Sequence, residues 1–343
     1  MGLLDRFRKK DTTSTFNYAV VGLGHIATPF LEELRESRLC SVTALVSGDL
    51  AKAATLAKKY GADTTYTYQT FDQIAENPAI HAVYIALPVS LHREFTERAA
   101  RAGKHVLCEK PMAPTSADAE AMIAACKAAS VHLGIAYRCP HTMPHKHLRE
   151  LIRQGAFGPK SSLRIEAGFG FPLKSGWRDQ GALAGGGSMW DVGIYPVNAS
   201  RFLLGEEPIS HQASATSDEN GMEREIQWTS VFPSGAQATG TSSYQRDIAD
   251  NLKISGEFGS ATMAPAFRWQ DPYSIRGSVH DPVYNRRMEI KVSQTDLPEF
   301  RLEAEELAFA VRENRPTIAP GEDGLADMRV MEAIYKAAGL NLG

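Results

Sequence analysis

Short apolar runs alternate with longer amphipathic stretches over the first 138 residues of the chain. The runs are rich in β-branched residues and have the length of buried strands, whereas the stretches between them have the apolar spacing of helices. The predicted strands fall at residues 16–24, 40–48, 79–88, 104–110 and 131–138. Since strands that alternate with helices form parallel βαβ units, this part of the chain predicts an α/β fold with a doubly wound parallel sheet.

The pattern changes after Arg138. One predicted helix, at residues 145–155, is followed by runs in which apolar and polar residues alternate, at 162–171, 209–217, 224–235, 236–245 and 251–259. This alternation is typical of an antiparallel sheet with one covered face. The chain returns to helical spacing over residues 301–314 and 323–339, and a glycine-rich irregular stretch at 168–188 has the character of a loop that lines a site. The second part therefore predicts an α+β domain with a large open, mainly antiparallel sheet.

These patterns predict three segments. Residues 1–15 form a polar N-terminal tail or arm, residues 16–138 a doubly wound α/β domain, and residues 139–343 an α+β domain. We find no internal repeat.

Composition excludes several classes of protein. The 37 Lys and Arg residues against 40 Asp and Glu residues leave a net charge of −3, without the basic excess of a nucleic-acid binder. The four cysteines include no Cys-x-x-Cys pair, so neither a zinc site nor a disulfide framework is indicated. No apolar run approaches the ~20 residues of a membrane span, and the first residues lack the apolar core of a signal peptide. We therefore expect a cytoplasmic protein that binds neither nucleic acid nor membrane.

The first predicted strand ends in a dinucleotide-binding turn. Gly22, Gly24 and Ala27 fit the pattern G-x-G-x-x-A. The first glycine allows a tight turn, the second lets the backbone approach a pyrophosphate, and the small third residue lets the helix pack on the strand. We expect Gly22, Gly24, His25 and Ile26 to contact the cofactor.

The end of the second predicted strand favours NADP over NAD. An NAD enzyme normally has Asp or Glu here to bind the ribose 2′-hydroxyl. This chain has Ser47 and Gly48, with Lys52 one helical turn later, and a hydroxyl, a backbone N–H and a cation suit a 2′-phosphate. Asp49 argues for NAD, although as an early helical residue it could instead interact with the helix dipole.

Two segments carry candidate catalytic residues. Glu109 and Lys110 lie at the carboxyl end of a predicted parallel strand, where ligands bind in such sheets. Asp191 and Tyr195 follow three glycines and are spaced by four residues, hence on one face of a helix. A carboxylate and a phenol placed together could hold a hydroxyl group and take its proton. The alternatives are a surface lysine in an ordinary turn and a buried, locally hydrogen-bonded tyrosine.

Further candidates lie at the ends of other predicted strands. Leu87, Pro88 and His92 are expected near the cofactor, with His92 either close to its ribose or on the surface. Arg138 ends the last strand of the first domain and either approaches the nicotinamide and substrate or forms a salt bridge between domains.

A metal site is not predicted. His141, His145 and His147 are clustered, but no acidic residue completes a zinc pattern and Pro144 lies between the first two.

The motifs in this order resemble the Gfo/Idh/MocA oxidoreductases, and within them the glucose–fructose oxidoreductase branch. The resemblance rests on the turn at 22–27, on Glu109-Lys110-Pro111, and on the stretch 185–195 with its three glycines, aspartate and tyrosine. The resemblance covers nearly the whole chain. It implies that residues 16–138 form a Rossmann domain that binds NADP and that residues 139–343 form a domain for substrate binding and oligomerisation. Many members have histidine where this chain has Tyr195, and the tyrosine places it with the sugar oxidoreductases.

The resemblance implies a catalytic role for each of three residues. Lys110, Asp191 and Tyr195 would be catalytic, with Tyr195 as the base that takes the proton from the C1 hydroxyl of a cyclic aldose. A phenol holds its proton at neutral pH, so Lys110 would assist its loss, and Asp191 would orient the sugar.

The resemblance also implies cofactor and substrate contacts. Ser47, Gly48 and Lys52 would hold the NADP 2′-phosphate. Trp177 and Arg178 resemble a pair that closes over cofactor and sugar, with a structural tryptophan as the alternative. Tyr273 is a weaker candidate for substrate binding.

Three functions remain open from the sequence. The first is an NADP-dependent aldose oxidoreductase that passes the hydride to a second sugar, with NADP held tightly between the half-reactions. The second is a conventional aldose 1-dehydrogenase that releases NADPH, and the third is a non-catalytic sugar or nucleotide sensor. The resemblance further implies a homodimer or homotetramer assembled through the C-terminal sheet.

Overall fold

The structure is a computed structural model that describes residues 15–174, 176–268, 272–281, 283, 285–295 and 297–341. The tail or arm predicted for residues 1–15 lies outside the described residues, apart from Thr15.

Six parallel strands form the first sheet in the order β3-β2-β1-β4-β5-β6. Their bounds are β1 Phe16–Val21, β2 Cys40–Val46, β3 Thr64–Tyr66, β4 Ala82–Ile85, β5 His105–Glu109 and β6 Leu133–Ala136. The order in which strands are added to the sheet reverses between β1 and β4: β2 and β3 lie on one side of β1, and β4, β5 and β6 lie on the other. The crevice outside the carboxyl ends of the strands at such a point is where ligands bind. The predicted doubly wound parallel sheet is confirmed.

Four helices connect the strands of this sheet. They are α1 Ala27–Leu34, α2 Leu50–Tyr60, α3 His92–Arg101 and α4 Ser116–Ala128. Helix α2 begins at the N-cap Asp49, whose carboxylate accepts from the Lys52 N–H at 2.9 Å, and it ends at Gly61 in the left-handed region. The N-cap of α4 is Thr115, whose hydroxyl accepts a hydrogen bond from the Asp118 N–H at 3.1 Å.

Eight strands form the second sheet in the order β14-β13-β12-β11-β7-β10-β9-β8. Their bounds are β7 Arg164–Gly170, β8 Ser210–Ser217, β9 Glu223–Val231, β10 Gln237–Ser243, β11 Ile248–Gly256, β12 Gly259–Met263, β13 Tyr273–Asp281 and β14 Arg286–Gln294. Strands β7 and β10 pair in parallel, and the other neighbours pair antiparallel. The predicted large, mainly antiparallel sheet is confirmed. The sequence analysis missed β3, β12, β13 and β14.

Helices cover one face of the second sheet and then return to the first. Helices α5 Met143–Arg153 and α7 Ile194–Leu204 pack against apolar residues of β7, β11 and β12, and α6 is the short Gly181–Ala184. Helix α8 Glu299–Glu313 packs with α1, and α9 Gly321–Ala337 packs with α4 and the apolar face of the first sheet. Helix α8 therefore belongs to the core of the first sheet, and α9, which also packs with α7 and β8, contacts both sheets. The sequence places both helices in the second segment.

A buried ion pair joins α7 to α9. The Arg201 guanidinium donates to Asp327 Oδ1 at 2.5 Å, and the Asp327 side chain is fully buried. Asp323 and Glu207 also pair with Arg201, and the Asn198 amide donates to the other Asp327 oxygen at 2.9 Å. Removing one partner from such a network leaves a buried charge with fewer partners.

None of the helices in the described part of the chain is long and apolar enough to cross a membrane.

We predict that Asp327→Ala lowers the free energy of unfolding by about 3 kcal/mol, the lower end for a broken buried pair because Arg201 keeps Asp323 and Glu207. Urea denaturation followed by circular dichroism measures the change. Glu120→Ala is the control, since Glu120 and its partner Arg329 are 55% and 61% exposed. It should cost below about 1 kcal/mol, and equal losses in the two variants would contradict the prediction.

Candidate active site

A cavity of about 690 Å³ lies at the carboxyl ends of the strands of the first sheet and extends to the second sheet. Its lining includes all the residues predicted from the sequence as site residues except Tyr273. These are Gly22, Gly24, His25, Ile26, Ser47, Gly48, Lys52, Leu87, Pro88, His92, Glu109, Lys110, Arg138, Trp177, Arg178, Asp191 and Tyr195. The fold thus brings residues from both predicted domains to one space.

The turn after β1 forms one end of the cavity. Gly22 has a φ of +87°, and a Cβ on it would lie 2.4 Å from the Ala86 carbonyl oxygen, so only glycine fits. Gly24 has no heavy atom within 4 Å of the place of a Cβ, so its backbone faces open space. Helix α1 begins just after this turn at Ala27. This arrangement leaves room for a phosphate group against the backbone.

The end of β2 forms a second part of the same wall. The Ser47 side chain is buried and its hydroxyl accepts from the Asp49 N–H at 3.1 Å. The Asp49 carboxylate is used as the N-cap of α2, which supports the helix interpretation of this residue rather than a ribose contact. Lys52 is exposed at the start of α2 and lines the cavity.

His92 is buried below the middle of the cavity. Its Nε2 lies 2.9 Å from the Leu87 carbonyl oxygen, and its Nδ1 lies 3.0 Å from the carbonyl oxygen of Pro111. The imidazole therefore connects the turn after β4 to the turn that carries Lys110. The alternative of a surface role does not fit this position.

Lys110 and Asp191 meet across the two sheets. The Lys110 ammonium donates to the Asp191 backbone carbonyl at 2.8 Å and lies 3.5 Å from its Oδ1. The other carboxylate oxygen accepts from Arg178 Nε at 2.8 Å. Both Lys110 and Asp191 are largely buried, with 13% and 15% of their side chains exposed. A buried carboxylate is therefore shared between two cations.

The pKa shifts of this pair favour the charged forms. Burial by itself raises the pKa of Asp191, but Lys110 and Arg178 outweigh it and hold that pKa below its ordinary value. Burial likewise lowers the pKa of Lys110, but Tyr195 and Asp191 outweigh it and raise that pKa. The ammonium and the carboxylate each keep their charge because the other is present.

Tyr195 lies beside these groups and is held by a second buried cation. Its hydroxyl accepts from the Arg138 guanidinium at 2.9 Å, and the Lys110 ammonium lies 4.5 Å from the centroid of its ring. The ring stacks on Phe267 at 5.7 Å and lies 5.8 Å from Phe169. Two cations therefore lie where they stabilise a negative charge on the tyrosine oxygen.

Asp191 lies in an irregular turn rather than in a regular α-helix. Residues Met189–Gly193 form one π turn, which joins α7 at Ile194. The expectation that Asp191 and Tyr195 share one face of a regular helix is wrong, because Asp191 lies in the π turn and Tyr195 in the helix that follows it. The π turn still directs both side chains into the cavity, and such turns are frequent at functional sites.

A buried glutamate fixes the start of this turn. The Glu223 carboxylate accepts from the Ser188 hydroxyl at 2.6 Å, the Met189 N–H at 2.9 Å and the Tyr335 hydroxyl at 3.0 Å. A Cβ on Gly187 would meet the Glu223 carbonyl oxygen, so this glycine is required by a close approach of two backbones. Gly187 is therefore needed so that the backbone before Asp191 can pack closely on the backbone of Glu223.

Arg138 lines the cavity and also takes part in a salt bridge. It contacts Tyr195 in the cavity and forms an ion pair with Glu299 of α8 at 3.2 Å. Trp177 and Arg178 lie in a short helical turn at the cavity, with the Arg178 guanidinium 4.5 Å from the Trp177 ring centroid. Trp177 is 37% exposed, so it does not belong to the apolar core.

Tyr273, which was predicted to bind substrate, and the histidines His141 and His145 are not part of the cavity lining. Tyr273 is buried in β13 and contacts the His145 ring at 5.8 Å behind the cavity wall. His141 and His145 are both buried, and the His145 Nδ1 lies 2.5 Å from the Thr142 hydroxyl. Within the residues that the structure describes, no group of three or more side chains is gathered to hold a metal ion.

The sequence analysis missed several residues of the cavity. Tyr244 follows β10 and faces Asp191, where its pKa is raised by burial and by that carboxylate. Tyr68 follows β3 and its ring lies 3.3 Å from the place of a Cβ on Gly48. Phe267 and Arg268 follow β12. None belongs to a motif, and only their positions just after strands could have indicated them.

The residues of the first sheet fit a dinucleotide. The glycine turn provides open backbone beside a helix start, and Ser47, Gly48 and Lys52 provide a hydroxyl, backbone and a cation at the neighbouring strand end. These are the groups that bind phosphates in such folds. Lys110 and Tyr195 lie in the same cavity.

Comparison with known protein families gives matches over both parts of the chain. Residues 16–137 match the family model described as the oxidoreductase family with an NAD-binding Rossmann fold, GFO/IDH/MocA. Residues 145–262 match the model of the GFO/IDH/MocA C-terminal domain.

Individual relatives cover nearly the full length. The chain is 31% identical to D-xylose 1-dehydrogenase [NADP(+)] of Haloarcula marismortui, over 98% of this chain and 96% of that protein. It is 28% identical to 1,5-anhydro-D-fructose reductase of Ensifer adhaerens, over 94% and 96%. The crystal structure of aldose-aldose oxidoreductase from Caulobacter crescentus, complexed with glycerol, is 39% identical, covers 95% of this chain and 98% of that one, and superimposes with a TM-score of 0.88.

We predict different stability effects for two alanine substitutions in the glycine turn. Gly22→Ala should lower the free energy of unfolding by about 1–3 kcal/mol, because of the positive φ and the close Ala86 carbonyl. Gly24→Ala should leave it within about 0.5 kcal/mol, because its Cβ meets nothing. Chemical denaturation measures both. Calorimetry should show weaker dinucleotide binding by Gly24→Ala, and equal affinity to the parent would contradict the assignment of this backbone to the cofactor.

Proposed function

The chain belongs to the GFO/IDH/MocA oxidoreductase family, and from that premise we propose that it is an NADP-dependent oxidoreductase that oxidises C1 of cyclic aldoses. The observation that carries the proposal is the meeting of Lys110, Asp191 and Tyr195 in the cavity that also contains the glycine turn. A sensor would have no need of a buried ammonium, carboxylate and phenol in contact with one another.

The residues of the first sheet would hold the cofactor. Gly22, Gly24, His25 and Ile26 would surround its pyrophosphate, and Ser47, Gly48 and Lys52 its 2′-phosphate. Leu87, Pro88, His92 and Glu109 line the stretch between the glycine turn and Lys110, where the nicotinamide half would lie. NADP is the cofactor, as in the D-xylose 1-dehydrogenase relative whose name includes it. When bound, NADP supplies a nicotinamide ring that accepts or donates a hydride.

Tyr195 would act as general base on the C1 hydroxyl of the sugar. Its hydroxyl oxygen already receives a hydrogen bond from Arg138, so its own proton is directed elsewhere. Loss of that proton leaves a negative charge next to the Arg138 guanidinium and the Lys110 ammonium, which stabilise it. In the reverse direction the same phenol would return the proton to the oxygen of a carbonyl group.

Asp191 would orient the sugar through its hydroxyl groups. Its carboxylate is shared by Lys110, Arg178 and Tyr244, so its position is fixed before substrate enters. The rest of this part of the cavity is aromatic, with Phe169, Phe171 and Phe267 in its wall. Aromatic rings beside a few fixed polar groups suit a pyranose, which has apolar C–H faces and polar edges.

We further propose that the hydride passes to a second sugar. The aldose-aldose oxidoreductase relative supports this hypothesis through its 39% identity. The alternative, a dehydrogenase that releases NADPH at each turnover, is supported by the D-xylose 1-dehydrogenase relative and uses the same residues. The two differ in whether NADP stays bound between half-reactions.

The organisation of the chain remains part of this proposal. The chain would divide into a segment that binds the dinucleotide, at 16–138, and a segment that binds the substrate, at 139–343, with α8 and α9 packed back on the first sheet. Assembly into a homodimer or homotetramer would use the open face of the second sheet. A cytoplasmic location also stays a prediction.

We predict that the purified protein, given glucose and a second aldose without added nucleotide, forms aldonic acid and alditol in equal amounts, measured by chromatography. The Tyr195→Phe variant should lose at least about 100-fold in rate, since it has no proton acceptor. Turnover that requires added NADP⁺ would establish the dehydrogenase instead. No turnover across several aldoses in either condition, or a Tyr195→Phe rate close to that of the parent, would overturn the proposal.

We predict that Lys52→Ala weakens NADP binding by about 10–100-fold, because a charge-assisted contact to the 2′-phosphate is lost, and leaves NAD binding unchanged. Fluorescence titration with both nucleotides measures the change. Lys58→Ala is the matched control, since this exposed lysine lies in the last turn of the same helix. Equal weakening of NADP and NAD binding would remove Lys52 from the phosphate site.

A further inference from the structure

The hydrogen bond between Arg138 and Tyr195 depends on how the guanidinium is held. Arg138 makes three side-chain contacts, to the Tyr195 hydroxyl at 2.9 Å, to the Phe267 carbonyl oxygen at 2.6 Å and to Glu299 Oε2 at 3.2 Å. Its side chain is 9% exposed and that of Glu299 is 1% exposed. A long arginine side chain has many rotamers, and these contacts select the one that reaches the tyrosine.

Glu299 is well placed to restrain Arg138. It lies in the first turn of α8, whose apolar residue Phe300 is packed in the core of the first sheet. The carboxylate is therefore anchored to a rigid element, whereas Phe267 lies in a loop held by the Asp250 carboxylate through three backbone N–H groups. Of the two acceptors that hold the guanidinium in place, Glu299 is the one that carries a charge.

We infer that Glu299 is a positioning residue for the proposed reaction: it holds the Arg138 guanidinium where it donates to the Tyr195 oxygen. The inference rests on the proposed role of Tyr195 as base. Glu299 itself does not line the cavity, so it acts through Arg138 and not on the sugar or cofactor.

Charged groups from several elements surround Tyr195. Lys110 lies over the ring, Arg138 donates to the oxygen, and Arg178 and Asp191 lie on the cavity side. The three cations stabilise a negative charge on the Tyr195 oxygen, whereas the carboxylates of Asp191 and Glu299 oppose it. Weakening the Arg138 contact should therefore move the deprotonation of Tyr195 to higher pH.

The groups that face Glu299 come from several elements. Burial raises the pKa of Glu299, and its contacts with Arg138 and Tyr273 offset only part of that rise. Glu33 and Glu303 lie near enough for their own pKa values to be raised in part by its charge. The thiol of Cys139 is also near, and burial raises its pKa to about 12. Removing the negative charge of Glu299 would by itself make the surroundings of Tyr195 more positive. A role through charge alone and a role in positioning therefore predict opposite shifts.

The test is Glu299→Asp, which keeps the charge and shortens the side chain by one methylene. We expect the acidic limb of the pH profile of kcat/KM for aldose oxidation to move up by about one pH unit, corresponding to about a tenfold loss of rate on that limb. A pure charge role predicts no movement for Glu299→Asp and a downward movement for Glu299→Gln. Either of those results would overturn the inference.

Three further variants keep the result specific. Glu303→Asp is the matched control, because Glu303 is buried one turn further along α8 and, among the described residues, its carboxyl has no hydrogen-bond partner. It should leave the limb in place. Arg138→Lys should move the limb upward, and Arg138→Lys combined with Glu299→Asp should move it no further. Additive shifts would show that Glu299 acts independently of Arg138.

A measurement without substrate separates this inference from the proposed function. The ultraviolet absorbance of tyrosinate, taken as the difference between the parent and Tyr195→Phe on raising the pH, follows the Tyr195 side chain alone. Its midpoint should move upward in Glu299→Asp, and an unchanged midpoint would overturn the inference whether or not the protein oxidises sugars. Absence of sugar turnover in the parent, with the midpoint moved as expected, would refute the proposed function only.

Discussion

The buried contact between Lys110 and Asp191 is the interaction on which the site depends. It joins the carboxyl end of a strand in the first sheet to the turn that leads into α7 of the second domain. Two charges that are largely buried must be paired, because each alone would be costly to desolvate. The contact therefore fixes the relation between the two halves of the cavity and at the same time keeps both groups charged.

Around this contact, the Arg178 and Arg138 side chains each pair with a carboxylate that is held in place by the fold. Arg178 completes the coordination of Asp191, and Arg138 joins Tyr195 to Glu299 on α8. The result is an excess of cations next to one phenol, in a space with aromatic walls. Such a site is prepared for the negative charge that appears when a hydroxyl gives up its proton, without any rearrangement of the protein.

The cavity also explains why the last two helices return to the first sheet. Glu299 in α8 reaches Arg138, and Tyr335 in α9 contacts Glu223, which fixes the turn before Asp191. The C-terminal helices thus stabilise the first sheet by apolar packing and support the site from behind by polar contacts. The chain divides at Arg138 into two sequence segments, but the apolar cores do not follow this division, because residues of both segments pack in the same clusters.

The sequence by itself determined the fold class and most of the cavity lining. The period of apolar residues predicted the parallel sheet, because buried strands and their helices have distinct lengths and spacings, and the motifs at Gly22, Lys110, Asp191 and Tyr195 pointed to the wall of one cavity. It did not predict β13 and β14, since strands with one exposed face and few apolar residues give a weak pattern. Only the tertiary structure decided that Arg138 contacts Tyr195, that Glu299 holds Arg138 and that Tyr273 lies behind the wall. These are contacts between residues more than fifty positions apart, and which distant side chains meet depends on the packing of whole elements, which local periodicity does not encode.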